Sequence, residues 1–516
     1  MQSIEHFLTK TNITILKVNT AYISCQYKLM YLKNLQLYKI QFIFDTMNDK
    51  FSIIISPDQF IPQDLSLYSL IGNEKFINTI SAHVDALRSS QYLSLEEMKR
   101  IQAKRFYILV SLLSSTSKYW RDYFTVLGQI ESEAPLIKNF SKLSLLNRDI
   151  LNKDQQHFSL VNRSDDKTFF RRTSGSTSLP IRIGVNKYEA TVAYFSYLLR
   201  QDVFKNVDIS SLLSRKFIIG LGSSGLRHWM GDLIHMFPIS MKEIEDLNYR
   251  KKVYEAVKNM EPVILGGFAS LVSRFCTLMF NDGNYDPSSF LAIKLGSEPL
   301  IAEERKNLRK LLNIPIINEL NCGEAGTIGF ECASNLNRFH LNAERIILEI
   351  TDKNGVNLPD GEKGLMVVTA LDRKITPIIR YKLGDMGKLV TEKCPCGINL
   401  PLFEFWGRRG DEVLLSNGRK VGVLQVHGSL MKAGLARKVS QFQIQQKNID
   451  KLLFRIVPRK KIKEEDEIEL RLLLSDLFFD CRMNIDFEYV ENIAPTQGGK
   501  RRFFIPLDEV RKNFEI

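Results

Sequence analysis

Short apolar runs alternate with amphipathic stretches through the middle of the chain. Four runs between residues 215 and 325 end in small or polar residues: KFIIGLGSS, EPVILGGFAS, FLAIKLGSEPL and IPIINELNCGE. A stretch with helical spacing, AEERKNLRKLLN, separates the last two. This alternation predicts parallel strands joined by crossover helices. In such sheets, ligands bind beyond the carboxyl ends of the strands, where these small residues fall.

Other stretches predict helices and an antiparallel sheet. Residues 95–127 and about 187–205 have helical periodicity, and Ser94 and Glu97 have the spacing of a capping box before the first of them. Residues 345–392 alternate like an antiparallel meander, with Asn-Gly and Asp-Gly turn signals. The chain is therefore predicted to combine helices with both parallel and antiparallel strands.

A new pattern begins after the WGRRGDEV segment. Residues 411–516 contain βαβ-like elements, which indicates a domain boundary near Gly410. At the other end, residues 1–90 are poorly patterned, and the stretches QFIFDTM and KFSIIIS predict two or three strands there. We expect three parts: an N-terminal extension of unassigned role over 1–90, a large domain over 91–409 and a small C-terminal domain over 410–516.

The composition is that of a globular protein. Of the 516 residues, 44% are hydrophobic and 25% are charged, which excludes collagen-like, mucin-like and largely disordered classes. No apolar run reaches the length of about 18 residues that a spanning helix needs. The segment MQSIEHFLTK lacks the basic and apolar regions of a signal peptide. We therefore expect a cytoplasmic protein without a transmembrane segment.

The formal net charge is +13 and is not concentrated in one domain. Basic clusters at 459–463 and 500–502 are not interleaved with stacking aromatic residues, so a nucleic-acid partner is not expected. The positive charge is equally consistent with a binding site for anionic small molecules.

The segment RRTSGSTSLP is the sharpest local signal for a ligand. It places four hydroxyls and a glycine in five consecutive residues: Thr173, Ser174, Gly175, Ser176 and Thr177. Such a loop can offer side-chain and backbone donors to a polyphosphate, and glycine lets the backbone approach closely. A solvated Ser/Thr turn is the alternative. The segment is not a Walker loop, and no GxGxxG follows a strand.

Six segments, in chain order, resemble motifs of the adenylate-forming superfamily, which includes acyl- and aryl-CoA synthetases. They are TSGSTSLP, LGSEPL, LNCGEAG, PIIRYKLGD, WGRRGDEVLLSNG and APTQGGKRR. ECASNLNRFH, the CPCG turn and the helical region near 95–150 are similar to the phenylacetate-CoA ligase and CapK-like group. The resemblance covers roughly 95–516. It implies an α/β fold: a large adenylation domain of mixed sheets and helices, followed by a small, mobile α+β C-terminal lid.

The resemblance implies nucleotide-binding roles for several positions. Residues 173–177 would bind the phosphates of ATP. Asp385 would accept hydrogen bonds from the ribose, and Arg408 would contact the phosphate or the ribose. The adenine pocket would be lined by three consecutive residues: Gly296, Ser297 and Glu298. Taken singly, Asp385 is interpreted as a turn residue and Arg408 as a surface residue. The six segments in this order favour the nucleotide-binding roles.

The resemblance also implies the catalytic groups. Glu324 would hold Mg²⁺ against the phosphates, since a carboxylate suits that cation. Lys500 would reach the substrate carboxylate and the α-phosphate, neutralising charge as the carboxylate attacks phosphorus. Taken alone, Lys500 in a KRR run reads as a solvated side chain. The small domain would rotate about Gly410 between the two half-reactions.

Some positions depart from the family pattern. Ser178 replaces the loop glycine, and Leu320, Asn321 and Gly323 replace the Tyr, Gly and Thr of YGxTE. The missing Tyr removes an aromatic surface for adenine, and the missing Thr removes a phosphate-binding hydroxyl. Gly410 stands where the family has a hinge acid, and glycine can still absorb a large backbone rotation.

A metal site is predicted from four further residues. Seven cysteines, an odd number, argue against a disulfide framework in a cytosolic protein. Cys332, His340, Cys394 and Cys396 form a Cys-x7-His and Cys-x-Cys set, which would complete a tetrahedral, structural Zn²⁺ site. A buried free Cys332 is the alternative, and the family resemblance favours zinc.

The acyl pocket is expected at strand ends. GGFAS, with Gly266 and Gly267, and GSSGLRHW, with His228, fall there. Small residues beside an aromatic neighbour suit a flat or aromatic acid, while His228 fits equally well as a structural surface residue.

The resemblance implies an ATP-dependent ligase that activates a carboxylic acid as acyl-AMP and passes it to a thiol, with coenzyme A as the first choice. A carrier protein, a sugar or an amine is the alternative acceptor. A catalytically impaired nucleotide-binding homologue is a rival from another class, and a homodimer is an open assembly.

Overall fold

The structure of the chain is a computed structural model. It describes residues 51–55, 61, 69–128, 139–153, 168–172, 181–222, 231–300, 302–423, 425–426, 429, 438–458, 460–494 and 502–507. The chain divides into two units at Ser52, and the elements below belong to the second, Ile53–Ile516, except that helix α1 begins at Ser52.

Strands and helices are numbered along the described chain. The strands are β1 Thr168–Arg172, β2 Arg182–Asn186, β3 Ile218–Leu221, β4 Ile234–Phe237, β5 Val263–Phe268, β6 Phe290–Gly296, β7 Ile316–Cys322, β8 Gly326–Glu331, β9 Arg338–Leu341, β10 Ile346–Thr351, β11 Gly364–Ala370, β12 Ile378–Val390, β13 Leu402–Arg408, β14 Glu412–Leu414, β15 Lys420–Gly422, β16 Val439–Asn448, β17 Lys451–Pro458, β18 Asn484–Tyr489 and β19 Phe504–Ile505. The helices are α1 Ser52–Ile55, α2 Glu74–Ser90, α3 Leu95–Thr116, α4 Lys118–Tyr123, α5 Arg148–Lys153, α6 Lys187–Leu199, α7 Ile209–Leu213, α8 Met241–Ile244, α9 Leu247–Met260, α10 Ala269–Asn281, α11 Ala302–Leu312 and α12 Glu464–Leu477.

One eleven-stranded sheet organises the large domain, in the order β10-β11-β12-β13-β9-β8-β7-β6-β5-β3-β4. Strands β3 to β7 run parallel to their neighbours, and from β7 through β10 the pairing is antiparallel. The predicted α/β fold, with parallel strands followed by a meander, is therefore confirmed. None of the described helices is long and apolar enough to cross a membrane.

Helix α2 lies within the region that the sequence analysis assigns to the N-terminal extension. Its buried residues Phe76, Ile80 and Val84 recur at helical spacing and belong to the same apolar cluster as Phe195 of α6. The Phe76 and Phe195 rings meet edge to face, with centroids 6.1 Å apart. Each buried side chain of this size contributes roughly 1.5–3 kcal/mol, so α2 is part of the large domain's core.

The strand predicted for the KFSIIIS stretch is wrong, because Ser52–Ile55 form a helix. Ile54 is the buried side chain of this short helix. Three consecutive isoleucines carry no periodicity that separates helix from strand.

The helix predicted over 95–127 is divided. The capping box of Ser94 and Glu97 is present, but Ser117 is extended and separates α3 from α4. The side chains of Ser115 and Thr116 bond back to the carbonyl of Leu112, an interaction that competes with helix continuation.

The C-terminal domain has its own core. Its sheet has the order β18-β17-β16-β19, and helix α12 buries Leu470 and Leu474 in the same apolar cluster as Phe454. The amide of Gln446 holds β14 to this domain, because it accepts from the backbone N–H of Leu414 at 3.1 Å and donates to its carbonyl at 2.7 Å.

Candidate functional site

Asp385 and Arg408 face each other on adjacent strands. Strand β12 pairs with β13 in a register that puts these residues opposite one another, and the Arg408 Nε lies 3.1 Å from the Asp385 Oδ1. The Asp385 side chain is buried, while that of Arg408 is half exposed. The negative charge of Asp385 raises the pKa of Arg408 above its usual value, so the guanidinium stays charged. Its Nε is held against Asp385.

Glu324 lies in the turn between β7 and β8. Its Oε1 accepts from the hydroxyl of Tyr381 at 3.1 Å and lies 3.3 Å from an Arg148 nitrogen. Within the described residues, Oε2 receives no hydrogen bond. The carboxylate is therefore oriented through one oxygen and can offer the other to a cation.

Two arginines hold the backbone of this turn. Arg345 donates to the carbonyl of Ala325 at 2.8 Å and forms a bidentate pair with Asp372. Arg373 donates to the carbonyl of Glu324 at 3.2 Å. Because guanidinium groups fix several acceptors at once, the Glu324 turn is rigidly placed.

The adenine-side segment follows β6. Ser297 has a positive φ of 64°, and its hydroxyl lies 3.2 Å from the Asn321 Oδ1. A side chain at Gly296 would meet the same Asn321 amide at 3.0 Å. Glu298 is buried, and its carboxylate accepts from the backbone N–H of Ser270 at 3.1 Å, at the start of α10. The Glu298 carboxylate therefore interacts with the first turn of α10 as a capping group does.

Gly266 and Gly267 lie near the carboxyl end of β5, beside the adenine-side segment. The next residue, Phe268, pairs with Gly296 of β6. At Gly267 a Cβ would come within 2.3 Å of the Leu221 carbonyl oxygen on β3. Glycine is therefore required there by the close approach of two strands.

Gly410 has a φ of 89°, in the region that favours glycine. Lys363 lies near this glycine, which is the predicted hinge, because its Nζ is 3.3 Å from the Glu412 Oε1 and 4.9 Å from the centroid of the Trp406 ring. A contact therefore joins the segments on the two sides of Gly410.

The four predicted zinc ligands come together. The ligand atoms of Cys332, His340, Cys394 and Cys396 all lie within 4.8 Å of one another. The Cys332 and Cys394 sulfurs are 3.4 Å apart, and the Cys396 sulfur is 3.3 Å from the His340 Nε2. A tetrahedral zinc ion with bonds of about 2.3 Å to sulfur separates its ligands by about 3.8 Å, so the spacing fits.

Burial governs the protonation of this cluster. It lowers the pKa of His340 to about 4, so the imidazole is neutral and able to bind a metal. It raises the pKa of Cys396 to about 12, so metal binding would have to displace the thiol proton. The cluster joins the end of β8, strand β9 and the connection between β12 and β13.

The site contains residues that the sequence analysis missed. Tyr381 had a usable signal, because it precedes Asp385 by four positions and an even spacing puts both on one face of a strand. No sequence signal pointed to Arg148 or Arg373, because both reach Glu324 from distant segments of the chain. Several predicted residues lie outside the described part of the chain: Thr173, Ser174, Gly175, Ser176, Thr177, His228 and Lys500. Strands β1 and β2, which precede and follow residues 173–177 in the sequence, pair with each other in antiparallel fashion.

Comparison with known proteins finds relatives that are similar along most of the chain. The family of CapK C-terminal domains matches residues 415–506. Protein CapK of Staphylococcus aureus is 22% identical over 427 residues, covering 80% of this chain and 91% of CapK. Phenylacetate-coenzyme A ligase of Pseudomonas putida is 21% identical over 413 residues, covering 77% of this chain and 88% of the ligase.

Solved structures of a CoA ligase share the fold of this chain. 2-Hydroxyisobutyryl-CoA ligase in its postadenylation state, in complex with 2-HIB-AMP, aligns with a TM-score of 0.61 at 15% identity, covering 82% of this chain and 92% of that one. The same enzyme in an open conformation with 2-HIB-AMP and CoA aligns with a TM-score of 0.50 at 14% identity, covering 86% and 95%. The chain is thus similar along most of its length to CapK and to the phenylacetate-CoA ligases, and it shares the fold of an adenylate-forming CoA ligase.

Proposed function

We propose that the chain is an ATP-dependent acid–CoA ligase, which forms an acyl-adenylate and then a thioester. The observation that carries the proposal is the oriented Asp385–Arg408 pair, which lies near the buried, oriented Glu324 carboxylate in the segments that resemble nucleotide-binding motifs. The similarity to CoA ligases along most of the chain supports it.

The two strand residues would hold the nucleotide. Asp385 is an acceptor whose Oδ1 lies against Arg408, and it would accept hydrogen bonds from the ribose hydroxyls. Arg408 keeps its charge beside Asp385 and would contact phosphate or ribose through its exposed side. The adenine would lie against Gly296, Ser297 and Glu298, where the positive φ of Ser297 turns the backbone.

Glu324 would hold Mg²⁺ through Oε2, because its Oε1 is engaged by Tyr381 and Arg148. A hard oxygen donor held by two partners suits this cation, which would neutralise charge on the phosphates. Residues 173–177 would donate to the same phosphates, and Lys500 would contact the substrate carboxylate and the α-phosphate as the oxygen–phosphorus bond forms and pyrophosphate leaves.

The second half-reaction would need a rearranged site. Rotation of residues 410–516 about Gly410 would withdraw Lys500 and admit the thiol of CoA, which would attack the acyl carbonyl and release AMP. The acid would lie near His228, Gly266 and Gly267, where small residues leave room for a flat or aromatic group. The Cys332/His340/Cys394/Cys396 cluster would hold a structural zinc ion and take no part in the reaction.

The test is pyrophosphate release by purified protein against a panel of aryl, fatty and amino acids, with and without CoA. We expect one acid class to release pyrophosphate and CoA to convert it to a thioester. Glu324→Gln should lose activity, whereas Glu362→Gln, at an exposed carboxylate, should not. Absence of pyrophosphate release with every acid would favour the impaired nucleotide-binding homologue.

An acceptor other than CoA would give a different result in this assay. The similarity to CapK along 80% of the chain keeps a carrier protein, a sugar or an amine as the second candidate. In that case pyrophosphate would be released without thioester formation when CoA is added. A cytoplasmic location and a homodimer remain predictions of the sequence.

A further inference from the structure

A cavity of about 60 Å³ lies among α2, α3, β2, α6 and the 371–375 segment, away from Gly266 and Gly267. Part of its wall is aliphatic, formed by side chains such as Leu87, Leu109 and Val192. The polar part includes His83, Arg105 and Tyr197.

His83 carries an unused polar atom. The residue is 7% exposed, and its Nε2 has no hydrogen-bond partner in the described structure. Burial, assisted by the charge of Arg105, lowers the pKa of His83 to about 4. The imidazole is therefore neutral at pH 7 and can present an N–H to the cavity.

Arg105 is a buried cation without a carboxylate partner. The residue is 5% exposed, and its Nη1 donates to the backbone carbonyl of Glu344 at 2.7 Å. Across the described residues, no carboxylate oxygen lies within 4.0 Å of its guanidinium nitrogens. Two other cations of the wall are paired with carboxylates, Arg345 with Asp372 and Lys374 with Glu189. A third, Arg373, donates to the carbonyl of Glu324. Asp372, which also lines the cavity, interacts electrostatically with Arg105 but is bonded to Arg345. The buried charge of Arg105 is therefore compensated only in part, which is costly.

The size of the cavity limits the ligand. One water molecule needs at least about 10–15 Å³ on this measure, so 60 Å³ accommodates about four non-hydrogen atoms. We propose that the cavity binds a small monovalent anion, a carboxylate or an inorganic anion of up to about four non-hydrogen atoms, between the Arg105 guanidinium and the His83 Nε2. The aliphatic wall would contact its apolar side.

The cavity wall is continuous with the support of the Glu324 turn. Arg345 and Arg373 line the cavity and donate to the carbonyls of Ala325 and Glu324. A bound anion would therefore strengthen the segment that holds these arginines. Binding itself does not depend on the proposed ligase activity, so the two can fail separately.

The experiment is calorimetric titration of the full chain with sodium acetate, in a buffer without other small anions and at constant ionic strength. Acetate has four non-hydrogen atoms, and pivalate, with seven, serves as the size control. We expect saturable binding of acetate and no comparable binding of pivalate. Chloride is the competitor: displacement of acetate would assign the site to inorganic anions, and failure to displace it would assign the site to carboxylates.

Arg105→Met keeps the length of the side chain and removes the charge. We expect it to weaken acetate binding about tenfold or more, the scale of one charge-assisted hydrogen bond. Arg100→Met is the matched control, because Arg100 lies on the same helix and is exposed. Ala193→Leu is a second test, which can be used if Arg105→Met does not fold. It would fill the cavity without changing a charge, and we expect it to abolish acetate binding. Absence of saturable acetate binding, an unchanged affinity in Arg105→Met, or equal affinity for pivalate would overturn the proposal.

Discussion

Alanine substitutions at two adjacent glycines of β5, Gly266 and Gly267, test how closely strands β3 and β5 must pack in the large sheet. At Gly267 a Cβ would lie 2.3 Å from the Leu221 carbonyl oxygen and 3.0 Å from a Val272 methyl group. Ordinary contact begins at 3.4 Å, so strands β3 and β5 would have to separate by about 1 Å. Overpacking of this kind costs about 1–3 kcal/mol. Gly267→Ala should therefore lower the melting temperature by a few degrees.

Gly266→Ala is the control. Its Cβ would meet the Lys294 carbonyl at 3.5 Å, an ordinary contact, and we expect unchanged stability or a gain of up to about 1 kcal/mol from the less flexible unfolded chain. The assay is thermal unfolding followed by circular dichroism, with ATP-dependent pyrophosphate release measured on both variants. Because Phe268 pairs with Gly296, Gly267→Ala should also impair activity more than Gly266→Ala does. Equal melting temperatures of the two variants would refute the argument from strand spacing.

Three further predictions concern the metal cluster and the residues outside the described structure. Protein prepared without chelator should contain about one Zn²⁺ per chain, and Cys396→Ser should lower both zinc content and melting temperature, since structural zinc contributes folding free energy; metal analysis without zinc would contradict this. Replacing Ser176 and Thr177 by Ala should weaken ATP binding or slow adenylate formation, and unchanged ATP kinetics would remove the loop from the site. Lys500→Ala should slow adenylate formation by about 10²-fold or more yet still transfer a pre-formed acyl-adenylate, whereas equal loss in both half-reactions would count against domain rotation.

The sequence predicted features that depend on local pattern. The parallel strands follow from short apolar runs, and the capping box at Ser94 follows from two residues three positions apart. The motif positions Asp385 and Arg408 were expected to serve one ligand, and the structure puts them on paired strands. These features need few long-range contacts to be recognised.

Other features depend on contacts between distant segments. Arg148 reaches Glu324 across 176 positions, and no local pattern distinguishes it from a surface arginine. The break at Ser117 arises from hydroxyls that compete with the helix, although apolar periodicity continues through it. Helix α2 was predictable in principle, because Phe76, Ile80 and Val84 have helical spacing, but its burial depends on α6.

The Cys/His cluster and the Asp385–Arg408 pair lie towards opposite ends of the paired strands β12 and β13 of the large sheet. Val390 pairs with Leu402 near the cysteine-bearing connection, and five residues of β12, about 17 Å, separate Val390 from Asp385. Side chains alternate between the faces of a strand, so a slip of one position would turn Arg408 away from Asp385. The connection that carries Cys394 and Cys396 limits how far β12 and β13 can slide past each other, although their register is irregular between Asp385 and Gly387, next to the ion pair. An insertion or deletion in that turn would be expected to alter nucleotide affinity without touching a nucleotide-binding residue.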